Sequence, residues 1–129
     1  MKKLAIRTAA LLCTGVLLAS CGQEPPAMPE LSFEESLQQQ FIEAKAGDVI
    51  EIPAGVHEMT RSLSLNVSGV TIRGAGIDAS ILSFTNQIQG AEGLLVSAND
   101  FVIENLAIEN TVGDAIKINQ SRNVVIRNV

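Results

Sequence analysis

The chain has 129 residues, two cysteines, no Trp or Tyr, and a formal net charge of -5. This length leaves room for one folded domain at most. Beyond residue 20 the sequence holds six Lys or Arg against fourteen Asp or Glu. Such an acidic surface repels nucleic acid and anionic lipid headgroups, so we expect no nucleic-acid partner.

The N-terminus has the order of an export signal. Lys2, Lys3 and Arg7 form a positive leader, and an apolar run from Ala9 to Ala19 follows it. This run has 11 residues, whereas a helix needs about 20 to cross a bilayer. We therefore expect residues 1–20 to be a removable signal peptide rather than a permanent transmembrane helix.

The next residues resemble the lipobox of bacterial lipoproteins, and they read Leu18-Ala19-Ser20-Cys21. In that family small residues before a cysteine admit the signal peptidase, and the thiol then takes a diacylglyceryl group. The resemblance implies signal cleavage between Ser20 and Cys21, lipid attachment at Cys21 with palmitate, and a membrane anchor. Cys13 matches less well because the large Leu12 precedes it.

Gly22 follows the cysteine in place of Asp. This resembles lipoproteins sorted to the outer membrane, so the expected location is the cell envelope of a Gram-negative bacterium. The alternative is an ordinary secretory signal cut nearby. It would leave Cys21 as an unpaired thiol in an exported protein, because the remaining chain offers no disulfide partner.

Behind the cysteine, residues 21–31 are rich in proline and lack apolar periodicity, which predicts an extended tether. Residues 32–46 then show apolar side chains spaced by three or four positions. Ser32 precedes them and Glu35 stands three residues later, which indicates a capped amphipathic helix. We expect this helix to end near Gly47 and to cap the domain that follows.

Residues 47–129 contain short aliphatic triplets that recur in a fixed order. The first series is Leu63-Ser64-Leu65, Leu94-Leu95-Val96 and Ile116-Lys117-Ile118; the second is Val70-Thr71-Ile72, Phe101-Val102-Ile103 and Val124-Val125-Ile126; the third is Leu82-Ser83-Phe84 and Leu106-Ala107-Ile108. The last two repeats are 22 or 23 residues apart, and the earlier one is 31 long. The excess lies at 75–80 and 85–93, which we interpret as insertions at turns.

Three strands in a repeat of about 22 residues resemble the right-handed parallel β-helix family, the fold of pectate lyases and their relatives. The resemblance implies an all-β fold with an N-terminal capping α-helix, in which each strand bonds to its equivalent one coil away, about 4.8 Å off. A leucine-rich horseshoe is the competing solenoid, but its leucine signature is absent. Because the sequence stops within a coil, we also expect these residues to be the N-terminal part of a longer β-helix.

The two-residue pleat of a strand places the first and third residues of each triplet inside the coil. We expect three inward columns: Leu63 on Leu94 on Ile116, Ile72 on Ile103 on Ile126, and Phe84 on Ile108. At the bend after the second series, Asn105 and Asn128 are expected to form an asparagine ladder, with Gly74 in that place one coil earlier. Arg73, Glu104 and Arg127 are expected to align as an ion-pair ladder outside.

Few residues suggest chemistry. His57, the only histidine, is expected to lie on a solvent-facing turn. Gly74-Ala75-Gly76 has two glycines of a phosphate loop, but no Walker lysine follows, and a tight bend is the favoured interpretation. Asp114 lies just before a first-series strand, where related glycosidases and lyases place acids, so it is the one weak candidate for a catalytic residue; an aspartate closing a turn is the alternative.

The resemblance implies binding or processing of extracytoplasmic polysaccharide by a lyase, hydrolase or epimerase, with calcium in the relatives that act on uronates. No catalytic constellation, cofactor or metal site is visible in the sequence itself. The competing hypothesis is a non-catalytic β-helix that serves as a binding or scaffold module at the envelope. Fold analogy alone does not decide between them.

Overall fold

A computed structural model describes residues 27–129 of the chain. The predicted signal peptide, Ser20, Cys21 and the first part of the predicted tether therefore lie outside the described residues. The elements in chain order are α1 (Phe33–Glu43), β1 (Val49–Ile52), β2 (Gly55–Glu58), β3 (Arg61–Leu65), β4 (Thr71–Gly74), β5 (Ser80–Ser83), β6 (Gln89–Val96), β7 (Val102–Glu104), β8 (Ala107–Glu109), β9 (Ile116–Ile118) and β10 (Val125–Arg127).

The strands form three parallel sheets. Sheet A contains β1, β4, β7 and β10, sheet B contains β2, β5 and β8, and sheet C contains β3, β6 and β9, each in that order. All pairings are parallel. The described residues thus form a parallel β-solenoid of about three turns, with one short helix before it. The helix in residues 27–129, α1, is not long and apolar enough to cross a membrane.

Two of the three expected inward columns are confirmed. In sheet C, Leu63 pairs with Leu94, which pairs with Ile116. In sheet A, Ile72 pairs with Ile103, and Ile103 pairs with Ile126. Ile103 has no exposed surface, which is the environment expected for the centre of a dry aliphatic column.

The third column was predicted in the wrong register. Ile108 pairs with Leu82 and not with Phe84. Because the shift is two residues, it preserves the inward direction, and Phe84 is still only 1% exposed. The cause is Ser80, which the sequence predicted to lie in an insertion at a turn but which is the buried first residue of β5. Its hydroxyl accepts from the Ala75 amide and donates to the Ile52 carbonyl, so the polar group is satisfied inside the core.

The helix α1 begins at the predicted cap and ends at Glu43, three residues before the expected end. The Ser32 hydroxyl accepts from the Glu35 amide and the Glu35 carboxylate accepts from the Ser32 amide, which confirms the capping box. Leu37 and Phe41 are each 1% exposed and pack onto the core. The buried apolar face of α1 therefore covers the first turn of the solenoid.

Two polar side chains of α1 also bond the free edge of β3. The carboxylate of Glu34 accepts from the Thr60 and Arg61 amides, at 3.1 and 2.8 Å. The side-chain oxygen of Gln38 accepts from the backbone amide of Ser64, and its side-chain nitrogen donates to the Ser64 carbonyl. The helix therefore replaces the neighbouring strand that this edge lacks, and it satisfies backbone groups that burial would otherwise penalise.

Substitution of Ile103 by Asp tests the inward register. We expect Ile103→Asp to prevent folding, because an unpaired carboxylate would enter a column with no exposed surface. The matched control is Val102→Asp, one residue earlier on the outer face of the same strand, which we expect to fold with a loss of about 1 kcal/mol or less. Far-UV circular dichroism and solubility measure both. A soluble Ile103→Asp variant with the native spectrum would contradict the register.

Candidate functional site

The expected ladders are present on the outside of the solenoid. Asn105 and Asn128 both have left-handed backbone, with φ of 58° and 51°. The side-chain nitrogen of Asn128 donates to the side-chain oxygen of Asn105 at 2.9 Å. Gly74 occupies the equivalent place because a Cβ there would collide with the Asn105 carbonyl. These residues therefore build a corner of the fold rather than a ligand site.

A second polar corner was missed by sequence reasoning. Asp100 and Asn123 are also left-handed, with φ of 54° and 55°. The Asn123 amide donates to the Asp100 carboxylate at 2.7 Å. Their spacing of 23 residues equals that of the Asn105 and Asn128 pair, which is the signal that could have revealed them.

The ion-pair ladder in sheet A is confirmed and is longer than expected. Arg73 contacts Glu104 at 2.7 Å and Glu51 at 3.5 Å, and Arg127 contacts the other oxygen of Glu104. Only 6% of the Glu104 side chain is exposed, so the central carboxylate is covered by its two arginines rather than open to solvent. Hydrogen bonds from Arg73 and then Arg127 lower the pKa of Glu104.

His57 is not on a turn as expected. It lies in β2, is half-buried, and pairs with Leu82 in the neighbouring strand. Its ring stacks on Phe33 of α1, with centroids 3.9 Å apart. A ring nitrogen also lies 2.9 Å from the Pro53 carbonyl. These contacts give His57 a structural role at the junction of the helix and sheet B.

The Gly74-Ala75-Gly76 segment does not form a phosphate loop. The Ala75 amide donates to the Ser80 hydroxyl, and the Gly76 amide donates to the Asn105 carbonyl, each at 2.8 Å. Both donors are therefore already used within the protein. This agrees with the tight bend that the sequence favoured.

The second predicted insertion is built into a strand and not only into a turn. Arg61 of β3 pairs with Gln89 of β6, and two residues later Leu63 pairs with Leu94. Residues 90–93 therefore form a bulge in β6. Gly90 has φ of 79° and stands against the Ser62 side chain, which leaves no room for a Cβ. Bulges of this kind re-aim side chains and are common beside functional sites.

Gln87 holds this bulge in place. Its side-chain nitrogen donates to the Glu92 carbonyl at 2.9 Å and to the Ser62 hydroxyl at 3.2 Å. Its side-chain oxygen accepts from the Val112 amide, one turn further along. A single polar side chain thus ties three successive segments together, which fixes the direction in which Glu92 points.

Beside the bulge lies a depression of about 390 Å³ on the outer face of sheet C. We call it the sheet C groove. It is lined by Arg61, Ser62, Gln89, Gly90, Glu92 and Leu95. A guanidinium group, an exposed amide and a carboxylate surround a half-buried leucine, so the groove offers hydrogen-bond donors and acceptors around an apolar patch.

Lys117 adjoins the bulge from the next turn. Its ammonium group lies 2.8 Å from the Glu92 carboxylate. This bond raises the pKa of Lys117, and the charge of Asp114 adds to the effect. The bond from Lys117 is the main reason why the pKa of Glu92 is lowered. In the register of sheet C, Ser64 pairs with Leu95 and Leu95 pairs with Lys117, so the three residues form one outward stack.

Asp114 itself is exposed on the turn before β9. Its carbonyl accepts from the Gly93 amide at 2.9 Å, so its backbone supports the end of the bulge. Together with Asp78 and Glu109 it lines a depression of about 630 Å³, and the other lining residues are aliphatic. No group of three or more His, Cys, Asp or Glu in residues 27–129 is arranged to hold a metal ion.

Known proteins give no further guide to this site. No protein-family model, curated protein or solved structure matches the chain. The architecture and the sheet C groove are therefore the basis for any functional inference.

Replacement of Lys117 by Met tests the Glu92 pair. Because its folded pKa is lowered, Glu92 contributes stability that is fully present above its unfolded pKa, about 4.3, and is lost as pH falls through the folded pKa. In Lys117→Met we expect the pKa of Glu92 to rise toward its unfolded value. The free energy of unfolding should then fall less between neutral and acid pH than it does in the wild type. NMR titration of the Glu92 carboxyl measures its pKa, and chemical denaturation between pH 3 and 7 measures the free energy of unfolding.

The matched control is Arg122→Met, which removes an exposed cation from a corner rather than from sheet C. We expect it to leave the titration of Glu92 unchanged. An unchanged Glu92 midpoint in Lys117→Met would mean that the pair does not form in solution.

Proposed function

We propose that this chain is a membrane-anchored lipoprotein of the cell envelope whose β-solenoid binds extracytoplasmic polysaccharide in the sheet C groove. The observation that supports this most is the bulge at residues 90–93, which builds that groove. Sugar rings have polar hydroxyls around their edges and apolar C–H faces. Arg61, Gln89 and Glu92 can bond the hydroxyls while Leu95 contacts a ring face.

We further propose that the solenoid winds to the right with three strands in each turn, as in the pectate-lyase-like family. The recurrence of strands from sheets A, B and C in a constant order supports three strands per turn. Connections between parallel strands of one sheet are right-handed in about 98% of cases, which supports the handedness. A long open groove along one sheet of such a coil suits an extended polymer.

The activity at this groove is proposed to be binding, with processing of the lyase, hydrolase or epimerase type as the further candidate. Processing needs a group that can take up a proton, and in a hydrolase that group is a carboxylate. Glu92 is bonded to Lys117, which lowers the pKa of Glu92 and makes it a weaker base. This pairing favours a non-catalytic binding module. Asp114, on the adjacent turn, is the carboxylate that would have to serve in an enzyme.

Affinity electrophoresis of the full chain through gels containing alginate, pectin or a neutral glucan tests the proposal. We expect retardation in at least one gel. The double variant Gln89→Ala with Leu95→Ala removes one polar and one apolar contact, so its affinity should fall about tenfold, equivalent to about 1.4 kcal/mol. Arg122→Ala, on a corner away from the groove, is the matched control and should bind like the wild type.

The same polysaccharides, incubated with the chain in the presence and absence of calcium, are then assayed for unsaturated products, new reducing ends and epimerised residues. Retardation in a gel without any product in these assays would support the binding module and exclude processing of the polysaccharides tested. Normal mobility of the wild type in every gel would contradict the proposal.

Metabolic labelling with radioactive palmitate tests the anchor. We expect the wild type and Cys13→Ala to take up label and to sediment with membranes. Cys21→Ala should lose both properties, because the attachment residue resembles the last position of a lipobox. Continued labelling of Cys21→Ala would overturn the proposed attachment site.

A further inference from the structure

A second depression adjoins the sheet C groove at the end nearer the helix, and we call it the helix depression. Its volume is about 200 Å³, and it is lined by Glu34, Glu35, Gln38, Gln39, Ile42 and Arg61. All of these residues except Arg61 belong to α1, and Arg61 is the first residue of β3. Arg61 also lines the sheet C groove, so the two depressions meet at its side chain.

The helix depression is largely apolar, although most of the residues around it are polar. The carboxylate of Glu34 and the side-chain amide of Gln38 are already used in hydrogen bonds to the edge of β3. Mainly their aliphatic stems are therefore left to line the depression. Ile42 adds a branched side chain that is 70% exposed. Such a wall gains free energy when an apolar group of a ligand displaces water from it.

Arg61 is the hydrogen-bond donor at the junction of the two depressions. Its side chain is 52% exposed, and its Nε lies 3.7 Å from an oxygen of Glu34, which is too far for a hydrogen bond. A guanidinium group has five N–H donors in one plane. Arg61 can therefore donate to a ligand group in the helix depression and to a hydroxyl in the sheet C groove at the same time.

The charges around this junction do not favour an anionic ligand. Arg61 shares the helix depression with Glu34 and Glu35. In the sheet C groove, Lys117 is paired with Glu92. A ligand carboxylate at Arg61 would bring a further negative charge close to these carboxylates, whereas an uncharged carbonyl accepts a hydrogen bond from Arg61 without this repulsion.

We propose that the helix depression receives the acetamido group of an N-acetylated sugar, so that the polysaccharide in the sheet C groove is built from acetamido sugars. This inference rests on the proposed binding of polysaccharide in that groove. An acetamido group combines a methyl group with an uncharged carbonyl, and these are the two features that Ile42 and Arg61 match. The sugar ring that carries the group lies in the sheet C groove against Leu95.

Other common substituents of sugar rings match the helix depression less well. A hydroxyl group leaves Ile42 without an apolar contact. A free amino group is cationic at neutral pH and would meet the guanidinium group of Arg61. A carboxylate has no apolar end and would lie near Glu34 and Glu35. The acetamido group alone among these four satisfies both the apolar wall and the donor.

Isothermal titration calorimetry of the full chain in a non-ionic detergent tests the proposal with three matched ligands. They are the β-1,4-linked tetramers of N-acetylglucosamine, glucose and glucosamine, which differ only in the substituent at the second carbon of each ring. We expect the wild type to bind the acetylated tetramer about tenfold more tightly than either of the others. The acetylated tetramer buries a methyl group and accepts a hydrogen bond from a charged donor.

Ile42→Gln removes the apolar wall while keeping a residue that favours helix. We expect the preference for the acetylated tetramer over the glucose tetramer to fall to about threefold or less, with the affinity for the glucose tetramer unchanged. Ile77→Gln is the matched control, because Ile77 is also exposed, at 47%, and lines neither depression. It should bind all three tetramers like the wild type. Far-UV circular dichroism checks that both variants keep the native fold.

Equal affinity of the wild type for the acetylated and glucose tetramers would overturn this proposal and leave the proposed function intact. A preference that survives Ile42→Gln would also overturn it, because the acetamido group would then be recognised elsewhere. If no tetramer bound but an alginate or pectin gel retarded the chain, the groove would take another class of sugar and only this proposal would be wrong. Absence of binding to every tetramer and every gel would contradict both proposals.

Discussion

The vertical stacking of equivalent strands is the constraint on which the rest of the molecule depends. Each strand bonds only to the strands one turn before and after it, about 4.8 Å away. A side chain therefore always meets the side chain in the same position of the next turn. Aliphatic residues at inward positions then stack in a column, as Ile72, Ile103 and Ile126 do, and Ile72 and Ile103 are fully buried in it. Any polar residue at a repeated outward position is placed against its equivalent by the same geometry.

The corners show how this constraint selects residue types. A bend that repeats in each turn needs left-handed backbone at the same place each time, and asparagine or aspartate tolerates it with a side chain that bonds its equivalent. Asn105 with Asn128, and Asp100 with Asn123, meet both requirements. The hydrogen bonds between turns thus satisfy the polar groups that the bends bring together. The ion-pair ladder in sheet A follows from the same repetition with charged residues.

The repetition also explains how much could be predicted from the sequence. A period of 22 or 23 residues placed Leu94 on Ile116 and Ile103 on Ile126, and the structure confirms both. The prediction of Phe84 on Ile108 was wrong because β5 begins at Ser80, a buried serine that the aliphatic pattern did not mark as part of a strand. A shift of two residues leaves the inward direction unchanged, so the hydrophobic pattern alone cannot distinguish the two registers.

Other features depend on contacts between distant segments and leave no periodic signal. Glu34 and Gln38 look like exposed helix residues in the sequence, yet they bond the edge of β3, which lies 26 or 27 residues away. The positions of β1 and β2 could not be predicted for a similar reason. Their inward residues are too few to establish a period before the first complete repeat.

Among the strand pairs of residues 27–129, only β3 and β6 change register, at the bulge of β6. The following turn enters β9 directly, since Gly93 and Leu94 bond to Asp114 and Ala115 without extra residues. Residues 90–93 are thus not needed to close a turn. They require a glycine with left-handed backbone, Gly90, and the hydrogen bonds of Gln87. Their effect is outside the core, where they bring Glu92 to Lys117 and form one wall of the sheet C groove. This feature contributes to the surface rather than to the column, and it supports the proposal that the sheet C groove is a binding site.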